Sequence, residues 1–345
     1  MIEKYYSGVI EQIYNRIGKE TRNIVMANYS NDFSIENLEV IRRYQSNEDN
    51  VFFAYSEFSY NTLVGAYEPF LDIICNMHRR FIGGSFDDFQ KECGVYYLHR
   101  QVLNSYYETG ECFREETVLL NEVAYEQRRM TMAIADMLKK LSEVKPLMIV
   151  INRFQMASKS SIETIKYLID NPCANIGIVL GVNAIVKGTD STVEVWDRIV
   201  ESLEDRSAIY YIGSAGPLKN NVKTTNDDEL YITMNFEQSI QEASNIMEFL
   251  DFEQARRGCR IIEHKLKFED AWIDEKSLRR FYMVYARTSV LLGEMSKAIE
   301  LTNEYKALIP ENDSEHYLSL YYFMKGTCYM YQGKLEKAGN SAKSA

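Results

Sequence analysis

The sequence predicts a doubly wound α/β domain with a parallel five-stranded sheet, followed by an all-α domain of helical hairpins. Five short runs are continuously apolar and rich in β-branched residues, which is typical of parallel strands that are covered on both faces. Helical patterns alternate with these runs, as in βαβ units. In the last third of the chain only helical periodicity remains.

The predicted strands and helices alternate through the first two thirds of the chain. The strands cover Asn23–Ala27, Val51–Ser56, Leu147–Asn152, Ile176–Val182 and Ala208–Gly213. The helical patterns cover Glu36–Tyr44, Tyr67–Arg80, Val118–Ser142, Ser161–Ile169 and Thr192–Leu203. We predict an N-terminal helix at 1–20, an α/β domain at 21–215, a linker at 216–237 that includes a short extended run, and a helical domain at 238–345.

Composition excludes several classes of function. The chain has 345 residues, enough for two domains, and a formal net charge of -11. A general nucleic-acid binder needs a basic face to replace the counterions of phosphate, so no nucleic-acid partner is expected. The six cysteines have no metal-ligand spacing, which predicts reduced thiols and no metal site. No apolar run approaches the ~20 residues of a membrane span. We therefore expect a cytoplasmic protein with no membrane contact.

The helical half contains an internal repeat. One unit is marked by Ala286, Gly293, Ala298 and Pro310, and the next by Gly326, Tyr329, Gly333 and Ala338. Small residues allow two antiparallel helices to approach closely, and glycine allows a tight turn between them. These offsets resemble those of tetratricopeptide repeats (TPRs), although the units are longer than the ~34 residues of a minimal TPR. A generic helical bundle is the alternative.

The third predicted strand carries the most specific motif. Pro146, the apolar run Leu147–Val150, Phe154, Gln155 and the Ser160–Ser161 pair resemble the Walker B region of STAND ATPases, which are AAA-type P-loop proteins. In that family two acids follow the strand, one for Mg²⁺ and one for the attacking water. Asn152 and Arg153 stand at these two positions. Asparagine has no charge for Mg²⁺ and arginine reverses the sign, so the resemblance implies a P-loop-type domain without catalysis.

The loop after the first predicted strand is the corresponding Walker A position. A working P-loop supplies glycines, a lysine and a hydroxyl to phosphate and Mg²⁺. Here the segment contains no glycine, Phe33 falls at the lysine position, and Asp32 would repel phosphate. The degenerate segment comprises Asn28, Tyr29, Ser30, Asn31, Asp32, Phe33 and Ser34. We therefore expect no nucleotide cofactor in the usual mode. Asn183 stands at the family's sensor position, and the resemblance implies the strand order 5-1-4-3-2.

These observations predict a regulatory protein and not an enzyme. The resemblance implies a pseudo-ATPase sensor module whose helical repeats bind a protein partner or output domain. Such modules form the N-terminal part of larger bacterial signalling proteins, such as transcription regulators or nucleotide cyclases. The last hairpin has no capping helix, so we expect either a longer chain or a homo-oligomer to cover its apolar face. Two alternatives stay open: a STAND-type switch that binds ATP or ADP through altered motifs, and a small-molecule sensor that uses the former nucleotide crevice.

Overall fold

The computed structural model divides the chain into two compact units. It describes residues 2–29, 38–46, 50–59, 63–114, 118–183, 193–213, 235–268, 273–310 and 314–345. The sheet unit combines 1–110 with 128–230, and the helical unit combines 111–127 with 231–345. The run Leu230–Met234 and most of the predicted linker lie outside the described residues. Among the helices of these ranges, none is long and apolar enough to cross a membrane.

The sheet unit contains a five-stranded, all-parallel sheet, as the sequence predicted. Its strands are β1 (Ile24–Tyr29), β2 (Phe52–Glu57), β3 (Leu147–Asn152), β4 (Ile176–Asn183) and β5 (Ile209–Ile212). Their spatial order is β2-β3-β4-β1-β5, which is the order that the resemblance implies. Every residue of β3 and β4 is buried, because both strands are central and both faces are covered. The continuous apolar runs of these two strands therefore reflect their position in the sheet.

Helices connect the strands and cover the sheet. They are α1 (Ile2–Tyr14), α2 (Glu39–Ser46), α3 (Phe70–Met77), α4 (Phe86–Glu92), α5 (Tyr97–Thr109), α6 (Val123–Val144), α7 (Lys159–Asp170) and α8 (Val193–Glu204), with a π-helical turn at His78–Ile82 and a 3-10 turn at Phe154–Met156. The sequence analysis did not place α4 and α5. The division between the two units falls within α6, after Gln127.

The N-terminal helix belongs to the core of the sheet unit. On α1, apolar side chains recur at helical spacing, and Tyr6, Ile10 and Ile13 are fully buried. They form one apolar cluster with residues that include Val150 of β3 and Val179 of β4. Burying this stripe fixes α1 on one face of the sheet, which brings Tyr6 to the functional site described below.

The described residues of the helical unit from 235 onwards form consecutive helices. They are α9 (Phe236–Glu248), α10 (Phe252–Phe268), α11 (Glu275–Leu291), α12 (Met295–Ala307), α13 (Ser314–Tyr331) and α14 (Leu335–Ser344). Asn235 begins α9 with a capping box, in which its side chain accepts from the backbone N–H of Gln238 and the Gln238 side chain accepts in return.

The repeat residues lie where the two C-terminal hairpins need small side chains or a left-handed backbone. Ala286 and Ala298 are buried on α11 and α12. Gly293 and Gly333 have φ of 79° and 71° in the turns before α12 and α14, a conformation that favours glycine. A Cβ on Gly326 of α13 would lie 3.3 Å from the Cβ of Ser341 on α14. Pro310 follows α12, Tyr329 lies on α13, and Ala338 lies on α14. The chain thus forms close helical hairpins, and their assignment as TPRs stays a prediction.

Candidate functional site

Buried polar side chains gather at the carboxyl edge of the sheet, where β1, β3 and β4 end. In the parallel register Tyr29 of β1 lies beside Asn183 of β4, and Glu57 of β2 lies beside Asn152 of β3. Crevices outside the carboxyl ends of parallel strands are the usual binding position in α/β sheets. We call Tyr6, Tyr29 and Asn152 the carboxyl-edge cluster.

One hydrogen bond joins two of the positions that the sequence analysis singled out. The Tyr29 hydroxyl donates to Oδ1 of Asn152 over 2.5 Å, and both side chains are fully buried. β4 lies between β1 and β3, and adjacent strands are about 4.8 Å apart. The side chains of Tyr29 and Asn152 together therefore bridge the roughly 10 Å between their two strands. Only a side chain as long as tyrosine crosses that distance. Tyr29 therefore occupies the space in front of Asn152.

The hydrogen bond from Tyr29 to Asn152 passes over Gly181 of β4, the strand between them. A Cβ built on Gly181 would lie 2.5 Å from the Tyr6 hydroxyl oxygen and 2.7 Å from Oδ1 of Asn152. Contacts this short do not occur between unbonded carbon and oxygen atoms, so position 181 needs glycine to admit both side chains. The rings of Tyr6 and Tyr29 meet edge to face, with centroids 6.3 Å apart.

Burial sets the electrostatics of the cluster. The pKa of Tyr6 is raised well above its ordinary value, first because burial disfavours the phenolate and then because Tyr29 and Glu57 repel it. Tyr6 is thus a neutral phenol throughout the physiological range. The cluster can donate and accept hydrogen bonds, but it contains no base to activate water.

The arginine at the second acid position is neutralised by a residue that the sequence analysis missed. Arg153 has a left-handed backbone, with φ of 55°, and its Nη1 lies 2.8 Å from Oε1 of Glu57. The same nitrogen donates to the carbonyl of Phe58 over 3.3 Å. Glu57 gave no local signal in the sequence, because it meets Arg153 only through the pairing of β2 with β3. The local charge is therefore that of an ion pair and not of a free arginine.

The sensor position contacts the 3-10 turn that follows β3. The backbone N–H of Asn183 donates to Oε1 of Gln155 over 3.3 Å, and both residues are buried. The Nε2 group of Gln155 is also buried, and it has no acceptor among the residues that the structure describes. A buried amide donor without an acceptor costs about 1–3 kcal/mol, so this group is a candidate contact for a ligand oxygen.

The predicted Walker A segment is described only in part. Asn28 and Tyr29 belong to β1 and not to a loop, because both pair with β4 and β5. Asn28 is also fully buried. Ser30, Asn31, Asp32, Phe33 and Ser34 lie outside the described residues. The structure therefore brings together Tyr29, Asn152 and Arg153 with Glu57 at one edge of the sheet, and Asn183 lies beside Tyr29 in the strand register.

No metal centre or disulfide is found in the described ranges. These residues contain no group of three or more His, Cys, Asp or Glu side chains that could hold a metal ion. All six cysteines are free thiols, and burial raises the pKa of Cys75 and Cys93 to about 12. Such thiols are protonated at neutral pH and are poor nucleophiles.

Comparison with known proteins assigns no family to this arrangement. No family model, no curated protein and no solved structure matches the chain.

Proposed function

We propose that this chain is a non-catalytic regulatory module, in which a sheet unit of P-loop type has lost phosphoryl-transfer chemistry and the helical hairpins bind a protein partner. The observation that carries the proposal is the buried hydrogen bond from Tyr29 to Asn152. At the position where the resemblance expects a carboxylate for Mg²⁺, the side chain is uncharged and its oxygen is already bound. A hydrated Mg²⁺ ion needs free oxygen ligands at this place.

The ion pair between Glu57 and Arg153 supports the same proposal. An acid that polarises water must present an unneutralised carboxylate to the nucleophile. Glu57 supplies a carboxylate at this edge, but Arg153 holds it at 2.8 Å. Among the described residues, Asn152, Arg153 and Glu57 therefore offer neither an unneutralised carboxylate for a metal ion nor a general base. What the edge retains is a rigid and buried polar network.

The helical unit supports the protein-binding part of the proposal. Stacked helical hairpins present an extended surface that suits peptides or other domains. Phe323 and Met330 of α13 and Leu335 of α14 are large apolar residues with substantial exposure. Exposed apolar side chains on consecutive helices are typical of surfaces that bind other proteins.

A titration with fluorescent ATP and ADP, with and without Mg²⁺, tests the proposal. We expect no saturable binding below about 1 mM for either nucleotide and no release of phosphate. The variant Arg153→Ala serves as the matched control, because a residual phosphate contact at this edge would involve its guanidinium. Micromolar, Mg²⁺-dependent binding that is weakened in Arg153→Ala would overturn the proposal in favour of a nucleotide switch.

A small-molecule sensor is the second candidate, and the buried donor of Gln155 favours it. A ligand oxygen at the carboxyl edge would satisfy Nε2 and leave the bond from Asn183 in place. The variant Gln155→Leu keeps the volume but removes the donor. If metabolite mixtures raise the melting temperature of the wild type and not of Gln155→Leu, the sensor function is supported over the pseudo-ATPase function.

A further inference from the structure

The sheet unit contains a cavity at its amino edge, opposite to the carboxyl-edge cluster. Its volume is about 180 Å³, and it lies where β1 and β5 begin and where α7 and α8 end. Binding sites of α/β sheets usually lie at the other edge, so this cavity is independent of the proposed function. We call it the amino-edge cavity.

The inner wall of the amino-edge cavity is apolar. Val25 of β1, Leu168 and Ile169 of α7 and Leu203 of α8 line it, and all four are buried. A cavity of about 150 Å³ with a wall of this kind holds one benzene ring. A single ring or a branched aliphatic group therefore fits the inner part of the cavity.

The mouth of the cavity carries an excess of positive charge in an otherwise acidic protein. Arg16, Arg22 and Arg206 line it together with one carboxylate, that of Glu20. The whole chain has a formal net charge of -11, so three arginines beside one acid are a local exception. The charge at the mouth favours an anion.

The three arginines differ in the hydrogen bonds and ion pairs that their guanidinium groups already form. Nη1 of Arg206 donates to the carbonyl of Ile169 over 2.6 Å, which caps the end of α7. Arg16 lies 3.7 Å from the carboxylate of Glu20, which is too long for a good hydrogen bond. Arg22 forms no hydrogen bond or ion pair with any residue that the structure describes. Helix capping thus explains Arg206 but leaves the position of Arg22 unexplained.

The cavity wall is held in place by buried hydrogen bonds. The side chain of Asn23 donates to the carbonyls of Glu20 and Ala174 over 2.6 and 3.1 Å, and Asn23 is fully buried. The backbone N–H of Gly18 donates to the same Ala174 carbonyl over 2.8 Å. These bonds tie the turn between α1 and β1 to the segment before β4. The backbone that carries Arg22 is therefore fixed before any ligand binds, which lowers the cost of ordering its side chain on a ligand.

We propose that the amino-edge cavity binds a small organic carboxylate, with its apolar body against Leu168 and Leu203 and its carboxylate at Arg22 and Arg16. Guanidinium groups bind carboxylates through two parallel N–H···O bonds, and these charge-assisted bonds are among the strongest in proteins. The inner part of the cavity fits a ligand body of the size of one ring or one branched chain, as in benzoate or a branched-chain acid. This ligand regulates or stabilises the sheet unit from the edge opposite to the carboxyl-edge cluster.

Isothermal titration of the full chain with four probes tests the proposal. Benzoate carries both parts of the ligand, acetate carries only the charge, benzyl alcohol carries only the ring, and phenyl phosphate replaces the carboxylate by a phosphate ester. We expect saturable binding of benzoate, and at least tenfold weaker binding of acetate and of benzyl alcohol. Phenyl phosphate that binds tighter than benzoate would change the ligand class to phosphate esters and overturn the carboxylate assignment.

Three variants locate the binding. Arg22→Gln removes an exposed guanidinium without disturbing the fold and should weaken benzoate about tenfold. Ala208→Leu fills the cavity and should abolish binding, and Arg42→Gln, an exposed arginine of α2 far from the cavity lining, should leave it unchanged. Absence of saturable benzoate binding, or equal affinities in Arg22→Gln and Arg42→Gln, would show that the arginines at the mouth bind no carboxylate and would overturn the proposal.

Discussion

Replacing Gly181 with alanine tests the geometry of the carboxyl-edge cluster directly. The new Cβ would lie 2.5 Å from the Tyr6 hydroxyl oxygen and 2.7 Å from Oδ1 of Asn152, whereas unbonded carbon and oxygen atoms stay about 3.3 Å apart. Both groups must move by roughly 0.6–0.8 Å inside a fully buried region. Overpacking of this kind costs about 1–3 kcal/mol, and loss of the bond from Tyr29 adds about 1 kcal/mol. We expect the free energy of unfolding to fall by about 2–4 kcal/mol.

Equilibrium unfolding in urea, followed by circular dichroism, measures this loss. Gly8→Ala is the matched control, because Gly8 lies on exposed helix α1 surface with nothing within 4 Å of its built Cβ, so alanine should stabilise the protein by about 0.5–1 kcal/mol. In a Tyr6→Phe background the contact with position 6 lengthens to 3.2 Å, whereas that with Oδ1 of Asn152 stays at 2.7 Å, and Gly181→Ala should cost about 1 kcal/mol less. Equal midpoints for Gly181→Ala and wild type would refute the close approach of Tyr6 and Asn152.

Three further predictions concern single side chains. Tyr29→Phe leaves Oδ1 of Asn152 buried without its donor and should lower the free energy of unfolding by about 1–3 kcal/mol in urea titrations. Glu248→Gln should destabilise the protein by about 3 kcal/mol in the same assay, because the buried guanidinium of Arg114 then loses its principal counter-charge and Arg287 loses the same carboxylate. At pH 8, Cys93 should react with iodoacetamide roughly two to three orders of magnitude more slowly in the folded protein than in urea-unfolded protein, because burial raises its pKa to about 12. The rate in the folded protein should rise about tenfold per pH unit up to pH 11.

Each of these predictions has its own control. Tyr5→Phe alters an exposed tyrosine of α1 and should leave stability unchanged, so an equal effect of both tyrosine variants would contradict the bond to Asn152. Glu300→Gln breaks an exposed pair with Lys297 and should cost no more than about 0.5 kcal/mol, so a similar loss in Glu248→Gln would contradict a buried ion pair. Alkylation of Cys93 at the rate of the unfolded protein would contradict its raised pKa.

The sequence predicted the sheet well because its strands carry a local signal. Central parallel strands must be apolar on both faces, and Leu147–Asn152 was therefore predicted to the residue. The end of β1 was predicted two residues early. Asn28 and Tyr29 have polar groups that are typical of a loop, but they pair with β4 on one side and β5 on the other. Their strand conformation is thus decided by neighbours that are distant in sequence.

The contacts of the candidate site could not be predicted from the sequence. Asn152 and Arg153 are recognisable from the motif around them, whereas the residues that bind them lie more than ninety positions away. Tyr29 reaches Asn152 across β4, and Glu57 reaches Arg153 through strand pairing. Tyr6 lies on α1, whose amphipathic pattern predicts that the side chain is buried but not which residues it contacts. The contact between Glu57 and Arg153 depends on the register of two strands, and that between Tyr29 and Asn152 depends on Gly181 between them. Such contacts leave no periodic pattern in a sequence.

These contacts bear on how far the proposed loss of catalysis could be reversed by substitution. A carboxylate at position 152 would still accept the Tyr29 hydroxyl with one oxygen, and its second oxygen would remain available to a ligand. A carboxylate at position 153 would face Glu57 without the guanidinium that now neutralises it, and two like charges at such distances raise each other's pKa and destabilise the edge. A carboxylate at position 153 is thus coupled to Glu57, whereas one at position 152 is compatible with Tyr29. Among the described residues, two acids at these positions would require a further change at Glu57 of β2.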